Sequence, residues 1–390
     1  MTSELSRRTF LTRTGLLGCS LAASPLITPV SFAQTPWDTR LVVIILRGGM
    51  DGLDAVQPYG DPALRTLRGD LSAGPQGGAI DLDGYFAMHP ALAPLVPMWE
   101  AQQLAFVHAV STPYRDKRSH FDGQDLLEAG TSELVGARDG WLNRMLQAVP
   151  GVHAQTAYAI GRGDMQVLQG AAEVANWAPG SELRLSPQAI RLMELVAASD
   201  PAMLNALNEA QLLTEASREG VTQRVPGYVQ VAEFAAQQLS KDARIAAFSL
   251  NGWDTHSNQG NTLRPALERL AETLTTLKSK MRGNTWKKTA VIAMTEFGRT
   301  ARQNGTRGTD HGTGGLMVLA GGAIRGGRVY GDWPGLGDGA LYQDRDLMPT
   351  GDVRAHTGWI MRGLMGLDQS VIENAIFPGV DLGSDAGLLL

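Results

Sequence analysis

The residues best able to do chemistry come in short segments that share one setting. Each lies against a continuous apolar run. "RGGMDGLD" follows "LVVIIL" (41–46), and "STPYRDKRSHFDGQ" follows "LAFVHAV" (104–110). "NGWDTHSNQG" follows "RIAAFSL" (244–250), "TEFGRT" follows "TAVIAM" (289–294), and "GTDHGTGG" precedes "LMVLAG" (316–321). These segments supply Asp51, His120, Asp254, His256, Glu296, Asp310 and His311, with Arg47 and Arg299 beside them. Carboxylates and imidazoles gathered in one place repel or stay poorly solvated without a cation. Together they suit zinc, manganese or a similar divalent ion. In "WDTH", Asp254 and His256 are two apart on an extended chain, so both can point to one side. In "TDHGTGG" the glycines let the backbone pass close to a ligand.

The apolar runs are what must position these segments. Continuous β-prone runs fit strands buried on both faces, as in a parallel sheet. Helix patterns alternate with them, at about 91–102, 121–129, 187–217, 226–240, 262–282 and 352–366. The alternation predicts an α/β fold, a mostly parallel sheet with helices on both faces. In such sheets ligands bind beyond the carboxyl ends of the strands, where the acid and imidazole segments fall. A Gly-, Ala- and polar-rich stretch near 162–186 reads as loop, and with the helices after it forms an insertion around 160–225.

The segment "RSHFDGQDLLEAG" (118–130) supports three readings. Ser119 can be an N-cap with Asp122 as its partner, close to a capping box and worth about 1 kcal/mol. Ser119 can instead be a nucleophile at the positive end of the helix. Or His120 can be a metal ligand or general acid/base, its pKa lowered by the helix terminus toward the neutral imidazole a ligand needs. His120 is the preferred functional residue, and capping by Ser119 is compatible with that. Among the remaining histidines, His108 lies inside an apolar run and reads as core. His89 precedes Pro90 in a loop before a helix, and His153 and His356 lack matching partners nearby.

Composition bounds the function classes. The 390 residues are 43% hydrophobic, which is ordinary globular composition. A net charge of −5 argues against a general nucleic-acid binder. The single cysteine, Cys19, excludes a disulfide within the chain. No segment after the amino terminus approaches the roughly 18–20 apolar residues of a membrane span. Residues 1–33 read as a leader, with Arg7-Arg8, Phe10-Leu11, a mild apolar run and a small-x-small site at Ser31-Phe32-Ala33. The mature chain would start at Gln34. The RRxFL arrangement resembles a twin-arginine signal, so the expected partner is that export machinery and the destination is the periplasm or beyond. "LLGC" at Cys19 resembles a lipoprotein box and is the alternative.

From about 41 to 367 the stretches "LRGGMDGLD", "RSHFDGQ", "WDTHSNQ", "TEFGRT", "GTDHGTGGLMVLAGG" and "TGDVRA" resemble a family of exported bacterial proteins called domain of unknown function 1501. More faintly, their order resembles the alkaline-phosphatase-like superfamily of metallohydrolases, which includes sulfatases. That resemblance implies one alkaline-phosphatase-like domain over 34–390. It implies Asp51, Asp254, His256, Glu296 and His311 as metal ligands, and places His120 in the seat of the superfamily's nucleophile. Phe297 stands where a further histidine is expected, so one metal site is implied and a second is left open.

Arg47 and Arg299, each within four residues of a proposed metal-binding acid, are the expected binders of ester oxygens. The expected activity is hydrolysis of a small phosphate or sulfate ester. The alternative is a non-catalytic, metal-stabilised binding or assembly protein of the cell envelope.

Overall fold

In the computed structural model each of the five apolar runs is a strand. The structure describes residues 37–179, except 70, 72–73, 116, 135–138, 150 and 162–164, together with 225–390. Thr35–Pro179 and Pro226–Leu390 form one compact unit. The leader 1–33 and the helix pattern 187–217 lie outside the described residues.

Strand β1, Arg40–Arg47, sits at the centre and is buried along nearly its whole length. Around it run β2 (Leu104–Ser111), β3 (Ala157–Ile160), β4 (Ala175–Trp177) and β5 (Ile245–Asn251). The rest are β6 (Thr289–Met294), β7 (Gly315–Ala320), β8 (Arg328–Tyr330) and β9 (Gly351–Asp352). The nine-stranded sheet has the order β8-β2-β7-β6-β1-β5-β3-β4, with β9 also paired to β2. The flanks of β1 are parallel, Leu41 facing Ile245 on one side and Ala290 on the other.

The β1 side chains alternate between two cores, as strand geometry requires. Val42, Ile44 and Leu46 join one core with helices α3 (Gly227–Leu239) and α4 (Gln259–Lys280). Leu41, Val43 and Ile45 join the other with α2 (Trp141–Ala148) and α5 (Val353–Met365). The α/β fold with helices on both faces is therefore as expected. Helix α2 was not among the helix patterns; its short run "WLNRMLQA" is framed by Gly140 and Val149.

One strand departs from the parallel rule, and it matters for the site. β7 runs antiparallel to both β2 and β6. Residues preceding β7 therefore reach the same sheet edge as residues following the parallel strands. That edge also receives α1, His120–Ala129. Gly130 ends the helix in the left-handed region at φ 67°, where a side chain would also collide with Trp141 and Phe377.

His108 is a core residue, as read from the sequence. Its Nε2 donates to Val56 O at 2.9 Å, Nδ1 accepts from Ala109 N–H at 3.1 Å, and the ring packs on Phe86 and Trp333. Burial pushes its pKa from 6.5 down to about 4. The unfolded chain then takes up this proton below about pH 6.5 while the folded chain refuses it until about pH 4. Stability from this residue is thus lost as the pH falls through that window. Between pH 7 and pH 5, wild type should lose about 2 kcal/mol more than His108→Gln in urea unfolding. Equal losses in the two proteins would contradict this account.

Candidate active site

The site grows from two loops that zip together after β6 and before β7. Arg299 and His311 form an isolated antiparallel bridge, and Gly298 and Thr313 share a backbone hydrogen bond of 3.1 Å. A Cβ on Gly298 would lie 1.8 Å from Gly314 O, and one on Gly312 would lie 2.4 Å from Arg299 O. The glycines expected to let the backbone approach a ligand instead let two backbones approach each other. Their closeness sets where His311 stands.

Three imidazoles gather around Asp254, each held by its Nδ1. His120 Nδ1 lies 2.7 Å from Glu296 Oε1, His256 Nδ1 is 3.1 Å from Asp310 Oδ1, and His311 Nδ1 is 2.7 Å from Arg118 O. All three partners are acceptors, so each Nδ1 carries the hydrogen, and in the neutral ring Nε2 is the bare acceptor. These Nε2 atoms face Asp254: His256 at 3.0 Å from Oδ1, His311 at 3.4 Å from Oδ1, and His120 at 3.4 Å from Oδ2. The Nε2 atoms of His256 and His311 are 2.9 Å apart. His120 Nε2 is buried and, although within ion-pair range of Asp254, is not aligned for a hydrogen bond.

The carboxylates around this cluster have different tasks. Glu296 is fully buried. Its Oε1 receives His120, Gly48 N–H at 2.9 Å and Gln124 Nε2 at 3.1 Å. Burial would raise its pKa, but these hydrogen bonds hold it below the usual range. Glu296 thus orients His120 from behind rather than joining the cluster around Asp254. The same hydrogen bond raises the His120 pKa, against burial. This is opposite to the lowering expected from the helix terminus, because a carboxylate at contact distance outweighs a dipole. For Asp254, burial is the largest influence and would raise the carboxyl, yet Arg299 brings it below normal. Burial lowers His311.

Asp51 does not reach this cluster. It caps the short helix Gly52–Ala55 and pairs with the buried Arg68 guanidinium, while Gln259 Nε2 donates to it at 2.6 Å. Burial would raise its pKa, but Arg68 keeps it low. Arg299 is 1% exposed. Its hydrogen bonds go to Gly48, Gly49, Trp253 and Thr309 carbonyls and to Asp254 Oδ1 at 2.7 Å. It therefore holds the loops together and has no face for substrate. Arg47 pairs with Glu128 at 2.6 Å and donates to Gln124 at 2.8 Å.

Ser119 caps α1, accepting Asp122 N–H at a long 3.4 Å. Asp122 does not close the box; the Ser119 N–H donates to Tyr114 Oη at 2.7 Å instead. Phe297, in the place of an expected histidine, is a floor: its ring centroid lies 5.1 Å from that of His120 and 4.9 Å from that of His311. Sequence reasoning overlooked Gln124 and counted Asp310 only among the acids gathered at the strand ends, not as the support of His256. Gln124 was findable, since it lies four residues after His120 and so on the same helix face.

Arg68→Met, which strands the Asp51 charge, should cost about 3–5 kcal/mol in urea unfolding. Adding Asp51→Leu should restore most of that. A loss under about 1 kcal/mol for the single variant would mean the pair is not a structural ion pair.

Several solved structures are similar to this chain at low sequence identity. The lipoteichoic acid synthase LtaP from Listeria monocytogenes is 7% identical with a TM-score of 0.38, covering 87% of this chain and 76% of its own. The C-terminal periplasmic domain of EcEptC from Escherichia coli is 10% identical with a TM-score of 0.39, covering 89% and 88%. A protein of the alkaline phosphatase superfamily from Vibrio parahaemolyticus is 10% identical with a TM-score of 0.36, covering 95% and 79%. No curated protein matches the sequence at a significant level. The family described as "Protein of unknown function (DUF1501)" matches residues 114–375, most of the chain and all three clustered histidines, and the chain belongs to that family.

Proposed function

We propose that the chain is a metal-dependent hydrolase of small phosphate or sulfate esters. One observation carries the metal: each of the three imidazoles gives its Nδ1–H to a fixed oxygen and turns Nε2 toward Asp254. That is the tautomer a metal-binding histidine needs, and a carboxylate or carbonyl behind Nδ1 is its usual support. A buried nitrogen without a hydrogen bond is costly, and a cation held by His120 Nε2 would relieve that cost. The ligand atoms of His120, Asp254 and His311 lie within 4.8 Å of one another, and each of the two Nε2 atoms is 3.4 Å from an Asp254 oxygen, close to the spacing that donors about 2 Å from a shared ion adopt. His120, Asp254 and His311 would hold the ion, with His256 beside them. A nitrogen-rich set with one carboxylate suits zinc better than magnesium. Such an ion supplies Lewis acidity and a more acidic water at neutral pH.

The chain's own residues supply the rest. Glu296 and Asp310 fix the ring orientations of His120 and His256. Arg118 has two contributions. Its carbonyl fixes His311, and its side chain, 33% exposed, stands at the amino end of α1, its one ion pair among the described residues a long 3.8 Å contact to Asp346. With Arg299 and Arg47 engaged elsewhere, Arg118 and the helix terminus are the groups suited to an ester's oxygens. No helix among the described residues is long and apolar enough to cross a membrane. The "RRTFL" leader supports export in the folded state through the twin-arginine machinery, and action outside the cytoplasm.

Metal analysis of purified protein should give one divalent ion per chain, and Asp254→Ala should remove it. Glu296→Gln should weaken metal affinity about 10–100-fold, because only the support of His120 is lost. On a panel of aryl phosphate, phosphodiester and sulfate esters, His311→Ala should abolish the turnover that wild type shows. Metal content unaffected by Asp254→Ala would sink the proposal. Bound metal with no turnover of any ester would favour a metal-stabilised envelope protein instead.

A further inference from the structure

A second feature at the same sheet edge has no part in the site above. A cavity of about 540 Å³ opens at the carboxyl ends of β1, β5 and β3, lined by Arg47, Ser249, Asn251 and Ile160 with Glu128 and Asp125 of α1. None of the clustered histidines lines it. Gln124 links the two places, accepting from Arg47 at 2.8 Å and donating to Glu296 at 3.1 Å.

The cavity's one cation and its buried acid are already spent on each other. Arg47 pairs with Glu128 at 2.6 Å, and the other Glu128 oxygen accepts Val167 N–H at 3.0 Å. Counting Asp125 on the rim, acids outnumber cations in the lining, so a second anion is disfavoured. Apart from Asp125 at the rim, the open hydrogen-bonding capacity belongs to uncharged groups. Ser249 and Asn251 lie two apart on β5 and so share a face. With Gln166 across the cavity, their side chains make no hydrogen bond to any described residue. Hydroxyl and amide groups both donate and accept, which matches a ligand whose own hydroxyls do the same. Ile160, Met165 and Val231 provide an apolar wall for C–H surface. The volume lies within the roughly 300–1,000 Å³ of small-molecule sites.

We propose that this cavity binds an uncharged, polyhydroxylated group of saccharide type, and that this group is the part of the substrate carrying the ester to the histidine cluster. The second clause rests on the hydrolase reading above; the binding itself does not. The inference reverses the expectation for Arg47, which organises the cavity instead of gripping an anion.

Calorimetric or ligand-observed NMR titration of the full chain with methyl glucoside, maltose, lactose, choline and inorganic phosphate tests it. At least one neutral saccharide should bind, and more tightly than choline. Ser249→Ala/Asn251→Ala should weaken that binding about tenfold or more, since each lost hydrogen bond costs severalfold, while metal content stays that of wild type. Stronger binding of choline, binding of phosphate dependent on Arg47, no saccharide binding, or saccharide binding unchanged in the double variant would each overturn the assignment. Saccharide binding that depends on Asn251 in a chain that holds no metal and cleaves no ester would uphold the cavity and refute the hydrolase reading.

Discussion

The site depends on one buried cation. The Arg299 guanidinium binds carbonyls of Gly48, Gly49, Trp253 and Thr309 and the carboxylate of Asp254. These groups belong to three loops, one after β1, one after β5 and one before β7. A buried arginine needs such a set, because removing its charge from water costs several kcal/mol unless it is fully paired. Loops at a sheet edge are ordinarily the most mobile parts of a fold. Here a single side chain fixes all three and fixes the oxygen around which the imidazoles converge. The preorganisation a reactive site requires comes from backbone dipoles aimed at one ion.

Around that centre, equal side chains take unequal roles according to burial and partner. Asp51 and Asp54 are buried together and bridged by Gln259 Nε2, at 2.6 Å and 2.9 Å. Arg68 keeps Asp51 ionised, whereas burial and the neighbouring charge of Asp51 raise the Asp54 pKa. Glu296 is spent on orienting a ring. Asp254 alone among these acids is both fixed and exposed, with 46% of its side chain accessible. The deep charges are paired in advance, and the half-exposed groups are the ones left to act.

Much of the frame was legible in the sequence. The Val- and Ile-rich runs specified the strands, since burial on both faces leaves only apolar choices. The crowding of acids and histidines at strand ends gave the location. Strand direction was not legible, because an apolar run reads alike both ways. Nor was the difference between Asp51 and Asp254: each follows a strand, and only the distant Arg68 turns one inward. Glu296 was read as a ligand for a similar reason. A carboxylate after a strand looks the same whether it faces an ion or a ring N–H. Arg299 misled through its chemistry, since the fork that suits an ester suits backbone carbonyls equally well.

The reversed direction of β7 bears on how the molecule is made. His311 is held by the carbonyl of Arg118, 193 residues earlier in the chain. That contact exists only once β7 has docked on β2, where Leu316 faces His108 from far along the chain; the other flank of β7, Val318 against Ala293, is a local pairing. Long-range closures of this kind form slowly and late. A partly folded chain would therefore offer scattered imidazoles with little hold on an ion. The finished fold would be its own checkpoint for metal capture, and an ion held there would slow unfolding by tying the segment after β2 to the one before β7.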